Sequence, residues 1–572
     1  MDASLGAGTG SLVEVPFHGR AVRGWVLGPT RDVPSRVLAV RKAVSPVRFF
    51  DDEGLALARW MSARYVSPLA AVLARMTPPR VASEEVLPTA PPRPVAEAGR
   101  SSSPALGDYA DAAGLLASLR SPRAGANAYL VRPAPDREAR DAVELVGSCL
   151  RSGRRAIVIV PEAAPVPATA AAIVDVFGDR VALFLGGSKR SRFRMWLDVQ
   201  AGAYDVVVGT RPAVFAPLQT LGLVVVSRES HPAHREDRAP YYHVRDVALE
   251  RARVAGAVGV LLAMAPSSEA AALGLAEVAP RRRSWPPVEV VRPGPEGRAP
   301  RLMRALKTAR RAFVFSPLAG YGIAAVCRSC GAPAKCAACH GLLRAESGAV
   351  TCVVCEAPGR CAGCGGRSFG IRRGGEERVE EWASRATPTP VHRLGAAERA
   401  RLPRDGEVLV GGPDDVRDLG AGNLDLVAIL DADLAERRPG LTARERALTT
   451  WMEAVAWAYP DGRAVVQATH TNDPAVQSLV QGNLARFHAD EARRRAAAGF
   501  PVGCAVFRVA GTAASEEPLR ALDPVTMLVT TLGEQTVCLL ALDPERVPAF
   551  GDAIRTLAAR DVVTRVEAEP HL

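Results

Sequence analysis

Residues 205–226 read DVVVGTRPAVFAPLQTLGLVVV. Two short apolar runs, 206–208 and 221–226, flank a proline-bearing connection, and neither run alternates with polar residues. A strand that is apolar on both faces belongs inside a sheet covered on both sides, the usual setting of a parallel α/β fold. Further runs of the same kind occur at 127–131 (NAYLV), 155–161 (RAIVIVP), 180–186 (RVALFLG) and 258–264 (VGVLLAM). Helical patterns at 136–151, 165–177, 190–201 and 243–255 separate them. Strand and helix in alternation predict a doubly wound sheet. The pattern returns at 300–320, breaks, and resumes over 371–500 with EVLVGG (407–412), LDLVAILDADL (424–434) and RAVVQATH (463–470). The fold class expected is therefore α/β, with two lobes and an insertion in the second.

At 572 residues the chain is too long for a single core. Residues 11–28, SLVEVPFHGRAVRGWVLG, alternate around a glycine-bearing turn and predict a hairpin. A helix is expected over 51–76, capped by Asp51 or Asp52 and interrupted at Pro68. Residues 84–125, rich in Pro, Ala and Ser, predict a linker with one short helix near 110–119. The division expected is a small β-rich N-terminal domain (1–83), the linker (84–125), a first lobe (126–295), a second lobe (296–498) with an insertion at 327–370, and a small α+β domain (499–572).

The insertion is the most specific part of the sequence. Residues 327–364 carry eight of the 11 cysteines, with 2-5-2-12-2-5-2 residues between them. A secreted disulfide framework fits poorly, because the opening residues lack a basic region followed by an apolar one. No run of about 18 apolar residues predicts a membrane span. A reducing cytoplasm is the expected compartment. There a C-x-x-C turn presents two thiolates to a metal, and two such turns complete a tetrahedral Cys₄ zinc site. Four turns make two zinc ions, and the turns can pair as neighbours, alternately or nested; the symmetric spacing does not choose. All-thiolate sites leave no open position for water, so a structural role is expected. His340 is a stray candidate ligand.

A formal charge of +11 points to a polyanionic partner, nucleic acid above all. Only four of the 72 basic residues are lysines, Lys42, Lys189, Lys307 and Lys335. That restricts where a catalytic lysine can stand.

Two α/β lobes with an eight-cysteine insertion in the second resemble the PriA family of primosomal replication-restart proteins. VPFHGRAVRGWVLG (15–28) is similar to the family's N-terminal DNA-binding hairpin, and 206–226 to the middle of its first lobe. YHVRDVALERA (242–252), LDADL (430–434) and GFP (499–501) match further on. The resemblance implies RecA-like helicase lobes and nested zinc sites. Cys327, Cys330, Cys361 and Cys364 would hold one ion; Cys336, Cys339, Cys352 and Cys355 would hold the other. It also implies DNA contact at Gly19, Arg20 and Arg23, with branched or forked and single-stranded DNA as ligands. The protein partners implied are primosome and helicase-loading proteins and a single-stranded-DNA-binding protein.

The family's motor is an ATP-dependent 3′-to-5′ helicase, which needs a Gly-rich loop with a lysine and an acidic pair for Mg²⁺. Here RPAPDREARD (132–141) follows the first strand with neither glycine nor lysine, and Ser227, Arg228, Glu229 and Ser230 stand where the family has D-E-E-H. FSPLAGYG (315–322) lacks the family's paired arginines, and MEAVAWAYPDGR (452–463) replaces its Q-x-x-G-R-x-G-R helix. The family's F-D-Y segment, which helps to pocket a DNA 3′ end, has no counterpart before Ser11. These departures predict a helicase-like chain that does not hydrolyse ATP and is not an enzyme. The rivals are a working ATPase with divergent motifs and a zinc-ribbon regulatory protein on a helicase-derived scaffold. Asp431 and Asp433 are expected to cap a helix, and Glu229 and His231 are assigned no chemistry.

Overall fold

The computed structural model describes the chain except residues 1–5, 32–36, 96–105, 122–126, 283, 295–297, 318–322, 333, 340, 342, 347–348, 353–354, 373–375, 395–399, 434–439, 534 and 571–572. His340 and residues 318–322 of the 315–322 motif lie outside the described residues.

Three antiparallel strands form the N-terminal sheet: β1 (Ser11–Phe17), β2 (Arg20–Trp25) and β3 (Lys42–Arg48), in the order β2-β1-β3. The predicted long helix is two, α1 (Asp52–Arg64) and α2 (Leu69–Met76), divided at Pro68. Asp51 caps α1 by accepting a hydrogen bond from Gly54 N at 2.8 Å, which satisfies an otherwise orphaned donor.

The first lobe is built on eight strands in the order Tyr109–Ala110, Ala276–Pro280, Ala128–Val131, Val258–Leu262, Leu221–Ser227, Arg155–Ile159, Val206–Gly209, Val181–Phe184. All pair in parallel except Tyr109–Ala110. Leu221–Ser227 lies at its centre with every residue buried, as its unbroken apolar run requires. The linker expectation changes at its C-terminal end. Tyr109–Ala110 extends this sheet, and the helix Ala112–Arg120 buries Leu115 and Leu119 in the lobe's core.

The second lobe has six parallel strands in the order Val288–Val291, Arg463–Gln467, Leu426–Ile429, Arg311–Phe315, Glu407–Gly411, Val391–Arg393. The cysteine run interrupts it after Arg311–Phe315 with its own four-stranded sheet. Four antiparallel strands close the chain, in the order Thr526–Leu532, Gln535–Leu542, Ala505–Gly511, Val563–Ala568, with the helix Val547–Ala558. One apolar cluster joins residues of α1 and α2, one face of the first lobe and this last sheet. Among the described residues no helix is long and apolar enough to cross a membrane.

Candidate functional sites

The N-terminal hairpin turns at His18 and Gly19, both with positive φ (46° and 76°). That backbone suits a two-residue turn whose twist matches the strands, and glycine adopts it without strain. The register pairs Phe17 with Arg20, Val15 with Val22 and Glu14 with Arg23. Side chains alternate between faces with a period of two, so Arg20 and Arg23 fall on opposite faces of the ribbon. The two predicted arginines are thus close in the chain without forming one patch. Arg23 stands across from Glu14, which also pairs with Lys42 at 3.8 Å.

In the insertion, Cys327, Cys330, Cys361 and Cys364 come together, and Cys336, Cys339, Cys352 and Cys355 form a second group. Sulfur atoms within each group lie within 4.8 Å of one another. Neighbouring pairs are 3.6 Å (Cys327 to Cys364), 3.8 Å (Cys330 to Cys361), 3.7 Å (Cys336 to Cys355) and 3.4 Å (Cys339 to Cys352) apart. These separations exceed the ~2.05 Å of a disulfide. They fit a tetrahedron of thiolates around a metal at about 2.3 Å, whose edge is about 3.8 Å. Backbone amides of Ala338, Gly363 and Gly366 donate to the sulfurs of Cys336, Cys361 and Cys364 at 3.4 Å. The turns at 336–339 and 361–364 are tied together by a bridge between Cys336 and Cys361 and by amide bonds Ala337 N to Arg360 O and Ala362 N to Lys335 O. Both groups therefore belong to one small body.

Charged side chains cross the contact between the lobes. Arg228, only 4% exposed, donates from Nε to Glu453 Oε1 at 2.9 Å and from Nη2 to the Val416 carbonyl at 3.2 Å, both on the second lobe. Glu162, from the first lobe, lies 3.7 Å from Arg228, 3.3 Å from His231 and 3.3 Å from Arg417. Burial works against the charge on Arg228, but Glu453, Glu162 and Asp418 outweigh it and raise its pKa. Glu138, at the head of the helix after Ala128–Val131, accepts from Ser227 Oγ (2.7 Å) and Arg228 N (3.1 Å). Burial and the charge of Asp418 push its carboxyl up to about 8. The preceding loop is held by Tyr109, whose hydroxyl donates to Asp141 (2.6 Å) and accepts from Ala134 N (2.9 Å).

Sequence reasoning passed over Glu229. It is buried and accepts from Arg245 (2.9 Å) and from the hydroxyl and amide of Ser267 (2.8 and 3.0 Å), tying a strand end to two helices. Asp431 pairs with Arg298 and accepts from Gln467; Asp433 accepts from the amides of Thr469 and His470. Both therefore join neighbouring strand ends; residues 434–439, where the expected capped helix would begin, lie outside the described residues.

Residues 1–78 match the 3'DNA-binding domain (3'BD) family. The chain is 31% identical, over 96% of its length and 90% of the relative's, to a probable replication restart protein PriA of Mycobacterium tuberculosis. It is 28% identical, over 86% of its length and 80% of the relative's, to the replication restart protein PriA of Treponema pallidum. Among solved structures, RecG bound to a three-way DNA junction overlaps 77% of this chain and 54% of that one, at 12% identity and a TM-score of 0.38.

These matches overturn the expectation that the chain is not an enzyme. They run through both lobes, to relatives named for the replication-restart family that the sequence resembles, and that family is a helicase family. The residue departures at 132–141 and 227–230 do not take the chain out of it.

Proposed function

Because the chain belongs to the PriA family of replication-restart proteins, we propose that it recognises stalled or branched replication forks and recruits primosome and helicase-loading proteins to them. The observation that carries this reading is the match over 96% of the chain, together with an N-terminal DNA-binding domain over residues 1–78. Within it, residues 1–83 engage DNA through Gly19, Arg20 and Arg23. Residues 126–295 and 296–498 are the two lobes, the first extended by 109–120, the remainder of 84–125 links it to the N-terminal domain, and residues 499–572 form a C-terminal domain. The metal is zinc at both cysteine groups, a choice supported by the all-thiolate donor set. When bound, zinc fixes the fold of the module and supplies no reactive position. The eight cysteines serve as an interaction platform, with a single-stranded-DNA-binding protein among the partners and single-stranded DNA beside the fork. The chain works in the cytoplasm, with the nucleoid.

The test uses an immobilised fork and a blunt duplex of equal length, each mixed with a replicative-helicase-loading protein. The fork should retain the loader only when this chain is present, and the duplex should not. Equal retention with and without the chain would remove the recruiting role.

A further inference from the structure

Thr526–Leu532 lies at one margin of the C-terminal sheet and pairs only with Gln535–Leu542 among the described residues. Its register runs from Thr526 opposite Ala541 to Leu532 opposite Gln535 without a bulge, so its outer side is an unbroken row of peptide groups with no partner strand. Residues 528–532 are exposed, among them Leu528 at 53% and Leu532 at 64%. An open edge invites another chain, and the other long sheet margins of this protein carry deterrents. Arg20–Trp25 holds two arginines, Lys42–Arg48 a proline between terminal charges, and Val563–Ala568 an arginine and a glutamate. Val181–Phe184 and Ala349–Cys352 are uncharged but only four residues long. Thr526–Leu532, TMLVTTL, is the one margin longer than four residues, among the described residues, with neither charge nor proline.

The strand's chemistry separates the possible occupants. DNA finds no cation on it. A second copy brings another net charge of +11, and docking two whole bodies through seven-residue edges falls short of the roughly 1,000 Å² that a lasting interface needs. An extended segment of another protein gains affinity from main-chain hydrogen bonds, and no charge has to leave water if that segment is itself uncharged. Side chains alternate, so Leu528, Thr530 and Leu532 share one face, which the register continues into Leu539 and Val537. We propose that Thr526–Leu532 is a docking edge where a partner protein adds an extended, uncharged segment as a fifth strand. Apolar side chains of that segment, four residues apart, lie against Leu528 and Leu532. This edge belongs to a different sheet from the cysteine module and the hairpin, and its use does not depend on the fork reading.

The test titrates the full chain, without DNA, with a labelled peptide of alternating threonine and valine, the length of the strand and with glutamates beyond each end, up to about 1 mM. The peptide should bind, and amide exchange should slow across 526–532. The same peptide N-methylated throughout offers no donor and should not bind. L528K/L532K should weaken the unmethylated peptide about tenfold, the scale of two lost cross-strand pairs. Its melting temperature should match that of the unmodified chain, because both side chains already face water. The peptide comparison and the exchange are read on the unmodified chain, so they decide even if the double variant fails to fold. No binding by the unmethylated peptide, equal binding by the methylated one, or equal binding to a folded L528K/L532K would overturn the docking edge. So would sedimentation in which the unmodified chain dimerises and L528K/L532K does not, since the edge would then belong to a second copy.

Discussion

Arg228 is stable in its buried place only while its carboxylate partners stay with it, and Glu453 comes from the opposite lobe. Removing one partner of a buried pair costs about 3–5 kcal/mol, whereas replacing both by apolar groups is near neutral. E453A should therefore loosen the lobe contact by about that amount, read as faster hydrogen exchange at 227–231 and 416–418, and R228M/E453A should recover most of it. Two carboxyls in the same contact set a pH dependence. Glu138, beside Ser227, Arg228, Asp418 and Glu453, and Glu445, which accepts from Ser268 N near Glu269 and Arg495, are both pushed up to about 8 from an ordinary 4.5. Burial is the main cause in each, with Asp418 and Glu269 next. Between those values the folded chain holds protons that the unfolded chain has released, so stability falls as pH rises. His234 works in the opposite direction, because burial pushes it down to about 3 from 6.5 and its contribution is lost as pH falls below 6.5. From pH 6.5 to 8 the carboxyl effect remains, and melting temperature should decline; E138Q and E445Q should each flatten that decline. None of these partnerships is legible in sequence, since the hydrogen bonds join residues 89 to 225 positions apart. The separation of Arg20 from Arg23 was legible: three positions along a strand is an odd step, which changes face.

The elements that sequence reasoning located best are those whose apolar runs are unbroken, such as Leu221–Ser227 and Leu426–Ile429, because burial on both faces leaves no polar residue to blur them. β3 was missed: KAVSPVR carries a proline and two charges, tolerable only beside an open edge. Ala276–Pro280 was missed for a similar reason, with Glu277 and Pro280 near the margin of its sheet. The cysteine turns announced themselves through spacing alone, but their partners did not; the bridge between Cys336 and Cys361 that ties two turns together is a matter of tertiary contact. Two ions per purified chain are expected by elemental analysis. Cys→Ser at any of the eight positions should lower the count, because thiolate ligation supplies the folding free energy of such a body. Chelation should expose amides across 327–372 to exchange while the parallel strands of both lobes, which have their own cores, stay protected.

Across the whole molecule, the N-terminal helices, the first lobe and the last sheet share one apolar cluster. Arg64 of α1 lies 3.8 Å from both Asp246 and Glu569, and Arg565 reaches the Tyr241 hydroxyl at 3.2 Å. The N-terminal domain is thereby carried on a body continuous with the lobe, so that the two are held in a fixed relation. A net charge of +11 makes DNA affinity fall steeply with salt whatever the shape of the DNA. Shape preference is consequently what separates fork recognition from the binding of any basic protein. Competition at one fixed salt concentration measures it most directly: a labelled fork bound to the full chain is displaced by unlabelled fork or by unlabelled duplex of equal length. The fork should displace at a concentration at least about tenfold lower, the scale on which specific contacts exceed non-specific ones. Equal displacement by plain duplex would contradict the assignment of this chain to fork recognition.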